Sequence, residues 1–184
     1  MRKVLYLFGQ LDDGDVEWLT ETGHTQNVAP NEAIIIQDEP VDALFILLRG
    51  GLSVYLGSGG GEREIARLGV GEIVGEMSFV DARPPSATVR AQDEGIVFAI
   101  SRAALNAKLA ADMGFAARFY KALAIYLSTT VRERHRALGF GSEEDLATLA
   151  EEDTEFDELD PNILDTLALA GDRFDRMLKE LLED

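Results

Sequence analysis

The segment Gly75–Glu76–Met77–Ser78 holds the residues whose types and spacing best suit ligand-binding chemistry. Glycine lets a backbone approach a ligand closely, because it has no Cβ atom. A short helix that starts at Glu76 would direct backbone N–H groups and the positive end of its dipole toward an anion such as a phosphate. The segment therefore predicts a binding loop to which Gly75, Glu76, Met77 and Ser78 all contribute.

Other candidate sites in the sequence carry less chemistry. The glycine-rich run 57–61 lacks the Lys and Ser/Thr of a phosphate-binding P-loop and precedes a strand, so it predicts a hairpin tip. The chain has no cysteine, and its two histidines, His24 and His135, have no neighbour at metal-ligand spacing. The carboxylates form no recognisable catalytic pair or nucleophile–base set in the sequence. We therefore expect no catalytic residue, no metal and no enzymatic activity.

The charge distribution disfavours nucleic acid as a partner. The net charge is −17, and residues 140–184 hold sixteen Asp and Glu against three Lys and Arg. Such a field repels phosphate backbones, whereas nucleic-acid binding needs clustered basic residues. No stretch approaches the ~18 apolar residues of a membrane-spanning helix, and the apolar run 4–8 is too short for a signal peptide. We expect a cytoplasmic protein that binds neither nucleic acid nor membrane.

The elements that must position the binding loop are predicted from residue patterns. Residues 12–21 are typical of a short helix, with acidic residues in the first turn and Gly23 at the end. From about residue 25 the pattern changes to short β-rich runs separated by turns, which indicates an antiparallel roll or sandwich. The predicted strands are 33–37, 43–48, 52–56, 64–68, 87–91 and 95–100.

Helices are predicted after the β-rich region. Ser101 is a suitable N-cap, and the helical pattern that follows reaches residue 138, with a long helix at 113–138. One apolar face of this helix is expected to cover the roll, while an adjacent face is available to a partner helix. Core packing alone explains the same pattern equally well. Residues 140–161 contain ten acidic and no basic residues, which predicts a solvated linker.

A last helix is predicted at 161–183, with Asp160 as N-cap and Pro161 at the first helical position. An isolated amphipathic helix of this length is marginal in water, so its apolar stripe must dock. Its own roll, a second copy of the chain and another protein are the three options. We divide the chain into a domain at 1–139, which includes helix 113–138, and an extension at 140–184 with the acidic linker and a docking or dimerisation helix.

Residues 71–89 resemble the phosphate-binding cassette of cyclic nucleotide-binding domains. Such domains form the sensor halves of Crp/Fnr-type bacterial regulators and occur in regulatory subunits of cAMP-dependent kinase and in cyclic nucleotide-gated channels. The resemblance runs from about residue 5 to residue 138, and includes Gly50, Gly71 and the order helix, β-roll, helices. It lacks the DNA-binding helix-turn-helix of the bacterial regulators, since 140–161 is acidic.

The resemblance implies a fold and a set of ligand contacts. The fold is mainly β with α: a double-stranded β-helix or jelly roll between an N-terminal helix and a long C-terminal helix, then the acidic extension with its amphipathic helix. By resemblance Glu76 accepts a hydrogen bond from a ribose 2′-hydroxyl, and Thr130 contacts the base. Ser86 and Ala87 face the phosphate with a hydroxyl and an N–H. The ligand-binding residues are then Gly75, Glu76, Met77, Ser78, Arg83, Ser86, Ala87 and Thr130.

Pro85 departs from the family's pattern. The family reads Arg-Pro-Arg-Ser-Ala-Thr, whereas this chain has Pro85 in place of the second arginine, which pairs with the cyclic phosphate. Proline supplies neither a charge nor an N–H, and loss of a desolvated charge partner costs about 2–5 kcal/mol. Arg83 is a candidate substitute, although the family's Arg-Pro at that place indicates an exposed turn residue.

Two functions follow from these observations. The first is a non-enzymatic sensor that binds cAMP or cGMP in the roll and signals through its C-terminal helices to a partner protein. The second is a degenerate fold without the phosphate arginine, which acts as an interaction or dimerisation scaffold or binds another ligand. For both we expect a homodimer through helix 113–138, helix 161–183 or both, and no cofactor other than the cyclic nucleotide.

Overall fold

The fold consists of six helices and eight strands among the residues that the structure describes. A computed structural model describes residues 3–57, 61–139 and 161–182. The helices are α1 (Val4–Gln10), α2 (Asp13–Thr22), α3 (Glu76–Asp81), α4 (Arg102–Ala111), α5 (Met113–Gly139) and α6 (Pro161–Leu182). The strands are β1 (His24–Val28), β2 (Ala33–Ile35), β3 (Ala43–Arg49), β4 (Leu52–Leu56), β5 (Arg63–Leu68), β6 (Ile73–Val74), β7 (Thr88–Ala91) and β8 (Gly95–Ser101).

Two four-stranded antiparallel sheets pack face to face and form the predicted jelly roll. One sheet has the order β1-β8-β3-β6 and the other β2-β7-β4-β5. The apolar side chains between the sheets come from both, and include Leu47, Leu52, Val89 and Val97. The mainly β fold with flanking helices is therefore confirmed. Most neighbouring strands are far apart in sequence, as in the pairing of Val54 with Val89, whereas β4 and β5 are consecutive.

The helices share a second apolar core at one side of the roll. Phe98 from β8 joins Phe115 and Phe119 from α5, and all three rings are buried. Trp18 of α2 meets the Phe115 ring edge-on, with 5.4 Å between ring centroids. The ammonium group of Lys108 in α4 lies 5.7 Å from the centre of the Trp18 ring. Helices α2, α4 and α5 are thus joined at the start of α5.

The predicted elements are present, with three additions. The helix predicted at 12–21 is α2, and the carboxylates of Asp12 and Asp15 each accept a hydrogen bond from the other residue's backbone N–H. The helical region after Ser101 is divided at Asp112 into α4 and α5. Helix α1 and strands β1 and β6 were not predicted. The acidic segment 140–160, with the predicted N-cap Asp160, and the hairpin tip 58–60 lie outside the described residues.

Helix α6 packs against α1 of the same chain. Its Ala170, Phe174 and Met177 are buried in the helical core, and the rings of Phe174 and Phe8 stack with centroids 5.8 Å apart. Arg173 donates hydrogen bonds from Nη1 to the carbonyl oxygens of Phe8 (2.9 Å) and Leu11 (2.8 Å) at the end of α1, and from Nε to Asp13 (2.7 Å). The last helix therefore docks on its own chain.

The hydrogen bond from Arg173 also affects the acidity of Asp13. That bond and the guanidinium charge hold the pKa of the Asp13 carboxyl below its ordinary value. Because the carboxyl stays ionised over the physiological range, the contact between α6 and the start of α2 remains charged on both sides.

None of the helices within the described ranges has the length and apolar character needed to cross a membrane.

Candidate functional site

A cavity of about 320 Å³ lies beside the predicted binding loop. Its walls come from β2, β4, β5, β6 and β7, from α3, and from the middle of α5. Seven of the eight residues predicted to bind a ligand line it: Gly75, Glu76, Met77, Ser78, Ser86, Ala87 and Thr130. Residues separated by more than fifty positions in the sequence thus come together around one space.

Gly75 holds the first turn of α3 close to the sheet. Its φ angle is +90°, in the left-handed region that favours glycine. A Cβ atom there would lie 2.9 Å from the carbonyl oxygen of Ala43. Helix α3 then begins at Glu76, as predicted. Any other residue at position 75 would therefore move the start of α3 and the cavity wall.

The C-terminal part of α3 is held from two sides. Arg102, the first residue of α4, donates a hydrogen bond of 2.7 Å to the carbonyl oxygen of Ser78. The ring of Phe79 meets the ring of Phe119 in α5 edge-on, with centroids 5.8 Å apart. The short helix that lines the cavity is therefore in direct contact with both α4 and the long helix.

Pro85 and Arg83 occupy different environments. Pro85 is buried, lines the cavity, and its carbonyl oxygen accepts a hydrogen bond of 2.9 Å from the N–H of Asp38. The side chain of Arg83 is 84% exposed, and its Nε atom lies 3.8 Å from Asp81. Arg83 does not line the cavity described here. The structure thus brings the proline to the wall and leaves the candidate substitute in solvent.

Helix α5 contributes two polar side chains to the cavity. The Tyr126 hydroxyl donates a hydrogen bond of 2.7 Å to the carbonyl oxygen of Ile73 and accepts one of 3.3 Å from the same residue's N–H. Burial, with the negative charges of Glu76 and Glu72 nearby, raises the pKa of Tyr126 well above its ordinary value. Its hydroxyl therefore stays protonated and joins α5 to β6, two residues before Gly75.

Thr130 lies one helical turn after Tyr126 and lines the same cavity. Its Oγ1 atom is buried and has no hydrogen-bond partner among the residues that the structure describes. Buried hydroxyl groups are nearly always hydrogen-bonded, because leaving one unsatisfied costs about 1–3 kcal/mol. Thr130 therefore adds a buried and unsatisfied hydroxyl to the residues that line the cavity.

Three charged residues of the cavity wall were not predicted from the sequence: Lys3, Arg67 and Glu72. The Lys3 ammonium lies 3.3 Å from the Glu72 carboxylate, and both side chains are largely buried. Arg67 belongs to β5. The alternation of residue types in this segment predicts a strand, but it does not indicate which side chains contact a ligand. The sequence around Lys3 does not indicate a role in the cavity. Helix α1 was not predicted, and the residue that Lys3 contacts, Glu72, is 69 positions away.

The remainder of the wall is apolar and comes from the strands. Ile35, Val54, Leu56, Ile65 and Val89 line it. Such a space, apolar with a few polar groups at its edges, suits a small organic ligand with a flat ring and a polar tail. Within the described ranges no group of three His, Asp or Glu side chains is placed to hold a metal ion.

Comparison with known proteins shows what the roll is similar to. Residues 25–112 match the family model for the cyclic nucleotide-binding domain. A cyclic nucleotide-binding domain from Methylobacillus flagellatus shares the fold, with a TM-score of 0.66 and 24% identity over 77% of this chain and 85% of that one. The N-terminal domain of a transcriptional regulator from Streptomyces coelicolor gives 0.58 and 25%, over 76% and 98%.

Curated relatives are larger proteins. The potassium channel KAT3 of Oryza sativa subsp. japonica is 28% identical over 100 residues, which is 54% of this chain and 20% of that protein. This chain spans between a fifth and about a quarter of the length of the curated relatives that it matches. The match thus concerns one domain of those proteins.

Proposed function

Because residues 25–112 match the family model for the cyclic nucleotide-binding domain, we propose that this chain is a non-enzymatic regulatory module that binds cAMP or cGMP in the cavity beside α3. The observation that carries the proposal is the convergence of seven of the eight predicted ligand residues on one cavity, among them Thr130, whose buried Oγ1 has no partner among the described residues. A volume of about 320 Å³ is at the lower end of ordinary small-molecule sites.

Each predicted residue then has a role in binding. Gly75 permits close approach, and the N–H groups at the start of α3 point toward the ligand's anion. Glu76 accepts a hydrogen bond from a ribose hydroxyl, and the hydroxyl of Thr130 bonds the base. Ser86 and Ala87 contact the phosphate. Glu76 and Thr130 stand on different elements, so one bound ligand bridges the roll and the long helix.

The long helix α5 passes ligand occupancy to a partner. It contacts the cavity-lining segment through Phe79 and Phe119, and through Tyr126 and Ile73. A ligand that displaces α3 or β6 must therefore shift α5, because these contacts are buried and closely packed. The output is a change in how α5 meets another protein.

A second copy of the chain is the first partner that we propose. An apolar stripe with 4-3 spacing runs along α5, and its members are mostly exposed, although Leu127 is partly buried against the helical core. This spacing is that of a two-stranded coiled coil. Helix α6 uses its own apolar stripe on α1, which leaves α5 for the dimer contact. The stripe consists of Met113, Ala117, Tyr120, Ala124, Leu127 and Val131.

The second function, a scaffold without a nucleotide, is favoured by Pro85. Its buried position in the wall puts a neutral ring where the family has a cationic side chain. In that case the roll would present α5 to a partner at all times, and the cavity would be vestigial or take another ligand. Binding measurements separate the two functions.

Calorimetric titration of the refolded, ligand-free chain with cAMP and with cGMP tests the proposal. We expect saturable binding of at least one nucleotide with a dissociation constant in the micromolar range. Glu76→Ala should weaken it about thirtyfold or more, since it removes a charged hydrogen-bond acceptor. Glu94→Ala, at an exposed turn remote from the cavity, is the matched control and should bind as the unsubstituted chain does.

The scaffold function would replace the sensor function if neither nucleotide gave heat up to millimolar concentration while circular dichroism showed an intact fold. Equal loss in Glu76→Ala and Glu94→Ala would also count against binding in this cavity. In the first case the search for function should move to the proteins that contact α5.

A further inference from the structure

The cavity lacks the cation that its family uses for the phosphate. Pro85 stands in that position and offers neither charge nor N–H. Arg83 is 84% exposed and pairs with Asp81. A ligand anion in this cavity therefore needs a positive partner from another element of the fold.

Two basic residues line the cavity within the described ranges, Lys3 and Arg67. The Arg67 side chain is 75% exposed, and its Nε donates a hydrogen bond of 2.6 Å to Glu64. Solvent therefore screens its charge. The Lys3 side chain is only 14% exposed. A charge in such surroundings acts more strongly on a bound ion, because the local dielectric constant is lower.

The backbone holds Lys3 at the cavity. Lys3 is the N-cap of α1, and its carbonyl oxygen accepts a hydrogen bond of 3.0 Å from the N–H of Tyr6. The N–H of Val4 donates a hydrogen bond of 2.7 Å to the carbonyl oxygen of Gly71, the residue before Glu72. The two backbones are thus joined beside the pair of side chains. Glu72 keeps the ammonium group in the wall at 3.3 Å.

We propose that Lys3 supplies the positive charge for the ligand's phosphate, in place of the arginine that Pro85 replaces. Glu72 positions the ammonium group, and the three donor hydrogens of a lysine allow it to serve a carboxylate and a phosphate oxygen together. This inference rests on the proposed binding of a cyclic nucleotide. It makes α1, outside the matched family segment 25–112, a part of the binding site.

The experiment compares cAMP with adenosine, which keeps the base and the ribose but has no phosphate. Lys3→Met alone would remove the ammonium group beside the largely buried Glu72 carboxylate, so the informative variant is Lys3→Met/Glu72→Gln. We expect this variant to lose about tenfold or more in cAMP affinity and to bind adenosine within about twofold of the unsubstituted chain. Lys3→Arg should retain cAMP binding. Arg63→Met, at an exposed arginine of the same strand outside the cavity wall, is the matched control and should leave cAMP affinity unchanged, and Arg67→Met is measured beside it.

Several results would overturn the inference. Equal losses for cAMP and adenosine in the double variant would show that Lys3 acts on the fold and not on the phosphate. A loss confined to Arg67→Met would assign the role to Arg67. If the unsubstituted chain bound adenosine as tightly as cAMP, the cavity would contain no effective cation. If it bound cGMP or cAMP in no measurable amount, the proposed function itself would fail, which is a distinct outcome.

Discussion

Thr130 combines burial with an unsatisfied hydroxyl, and the balance between these two effects can be measured. In the empty protein the Oγ1 atom has lost water without gaining a partner among the described residues. A ligand that bonds this oxygen would recover that free energy on binding. If the proposed function holds, the hydroxyl lowers the stability of the ligand-free protein and raises its affinity for the ligand.

Substitution Thr130→Val should separate these two contributions. It removes the unsatisfied hydroxyl and keeps the branched shape, so we expect the free energy of unfolding of the empty protein to stay constant or rise by up to about 1 kcal/mol. Affinity for the cyclic nucleotide should fall by about three- to tenfold. Thermal unfolding and calorimetric titration of the same samples measure both quantities.

Thr88→Val is the control at a satisfied threonine. Thr88 is buried, and its Oγ1 accepts a hydrogen bond of 3.0 Å from the N–H of Gln37. Its loss leaves that N–H unpaired, so the free energy of unfolding should fall by about 1–2 kcal/mol. If Thr130→Val destabilised the empty protein as much, the hydroxyl of Thr130 would have a partner after all.

At this scale the sequence predicted the residues of local motifs and missed those of distant contacts. Gly75 and Glu76 were identifiable because a glycine and a carboxylate before a helix start have a recognised chemistry. Tyr126 had no such signal, since its partner Ile73 is 53 positions away. Lys3 was missed for the same reason. When the role of a side chain depends on a contact with a distant residue, the adjacent residues in the sequence do not indicate that role.

At the scale of the elements, α5 presents exposed apolar surface that is available to a partner. Its inner side chains, among them Phe115, Phe119 and Leu123, are buried in the helical core. The outer stripe described above includes Met113, Tyr120 and Val131, which are 77%, 48% and 49% exposed. Large apolar side chains in a regular row on a helix commonly mark an interface.

The double substitution Tyr120→Glu/Val131→Glu should convert a dimer into a monomer. Two carboxylates in an apolar seam face their own copies across the two-fold axis, so we expect dimer affinity to fall by about a hundredfold or more. Light scattering after size-exclusion chromatography should give twice the 20.1 kDa of one chain before substitution and 20.1 kDa after it.

Arg132→Glu tests whether charge alone explains such a result. It makes the same change of −2 in net charge at an exposed position of α5 outside the stripe. This variant should remain dimeric. A monomeric unsubstituted chain, or dissociation by both variants alike, would contradict a dimer seam along α5.

The predictability of the elements depended on the length and clarity of their patterns. Helix α2 had an acidic first turn and a C-terminal glycine, and most strands had β-rich runs between turns. Helix α1 was missed because its five apolar residues, 4–8, form an unbroken run in which helical and strand periodicity cannot be distinguished. Strand β6 has two residues, too few for any period.

For the whole molecule, the docking of α6 on α1 connects the two ends of the described chain. The sequence predicted that the apolar stripe of α6 must be covered. It did not predict whether the chain's own roll, a second copy or another protein covers it. Arg173 makes the polar contacts that join α6 to α1, and the acidic sequence around it did not indicate this role. Its guanidinium is buried and satisfies two carbonyl groups at the end of α1 and the carboxylate of Asp13.

Arg173→Met should release α6 from α1. The variant loses three charge-assisted hydrogen bonds, so we expect the free energy of unfolding to fall by about 2–4 kcal/mol. Hydrogen exchange followed by mass spectrometry should show faster exchange over residues 168–182 and over α1. Arg176→Met, an exposed arginine on the same helix, should exchange as the unsubstituted chain does. Unchanged protection in Arg173→Met would mean that the apolar contacts of Phe174 and Met177 suffice.

The contact between Trp18 and Phe115 gives the protein an intrinsic optical probe. Trp18 is the single tryptophan in the sequence, so all indole emission comes from the place where α2, α4 and the start of α5 meet. A shift of α5 changes the distance of the Phe115 ring and the Lys108 ammonium from the indole, and with it the emission wavelength and lifetime. The state of the long helix can thus be followed by fluorescence, in real time and without a dye.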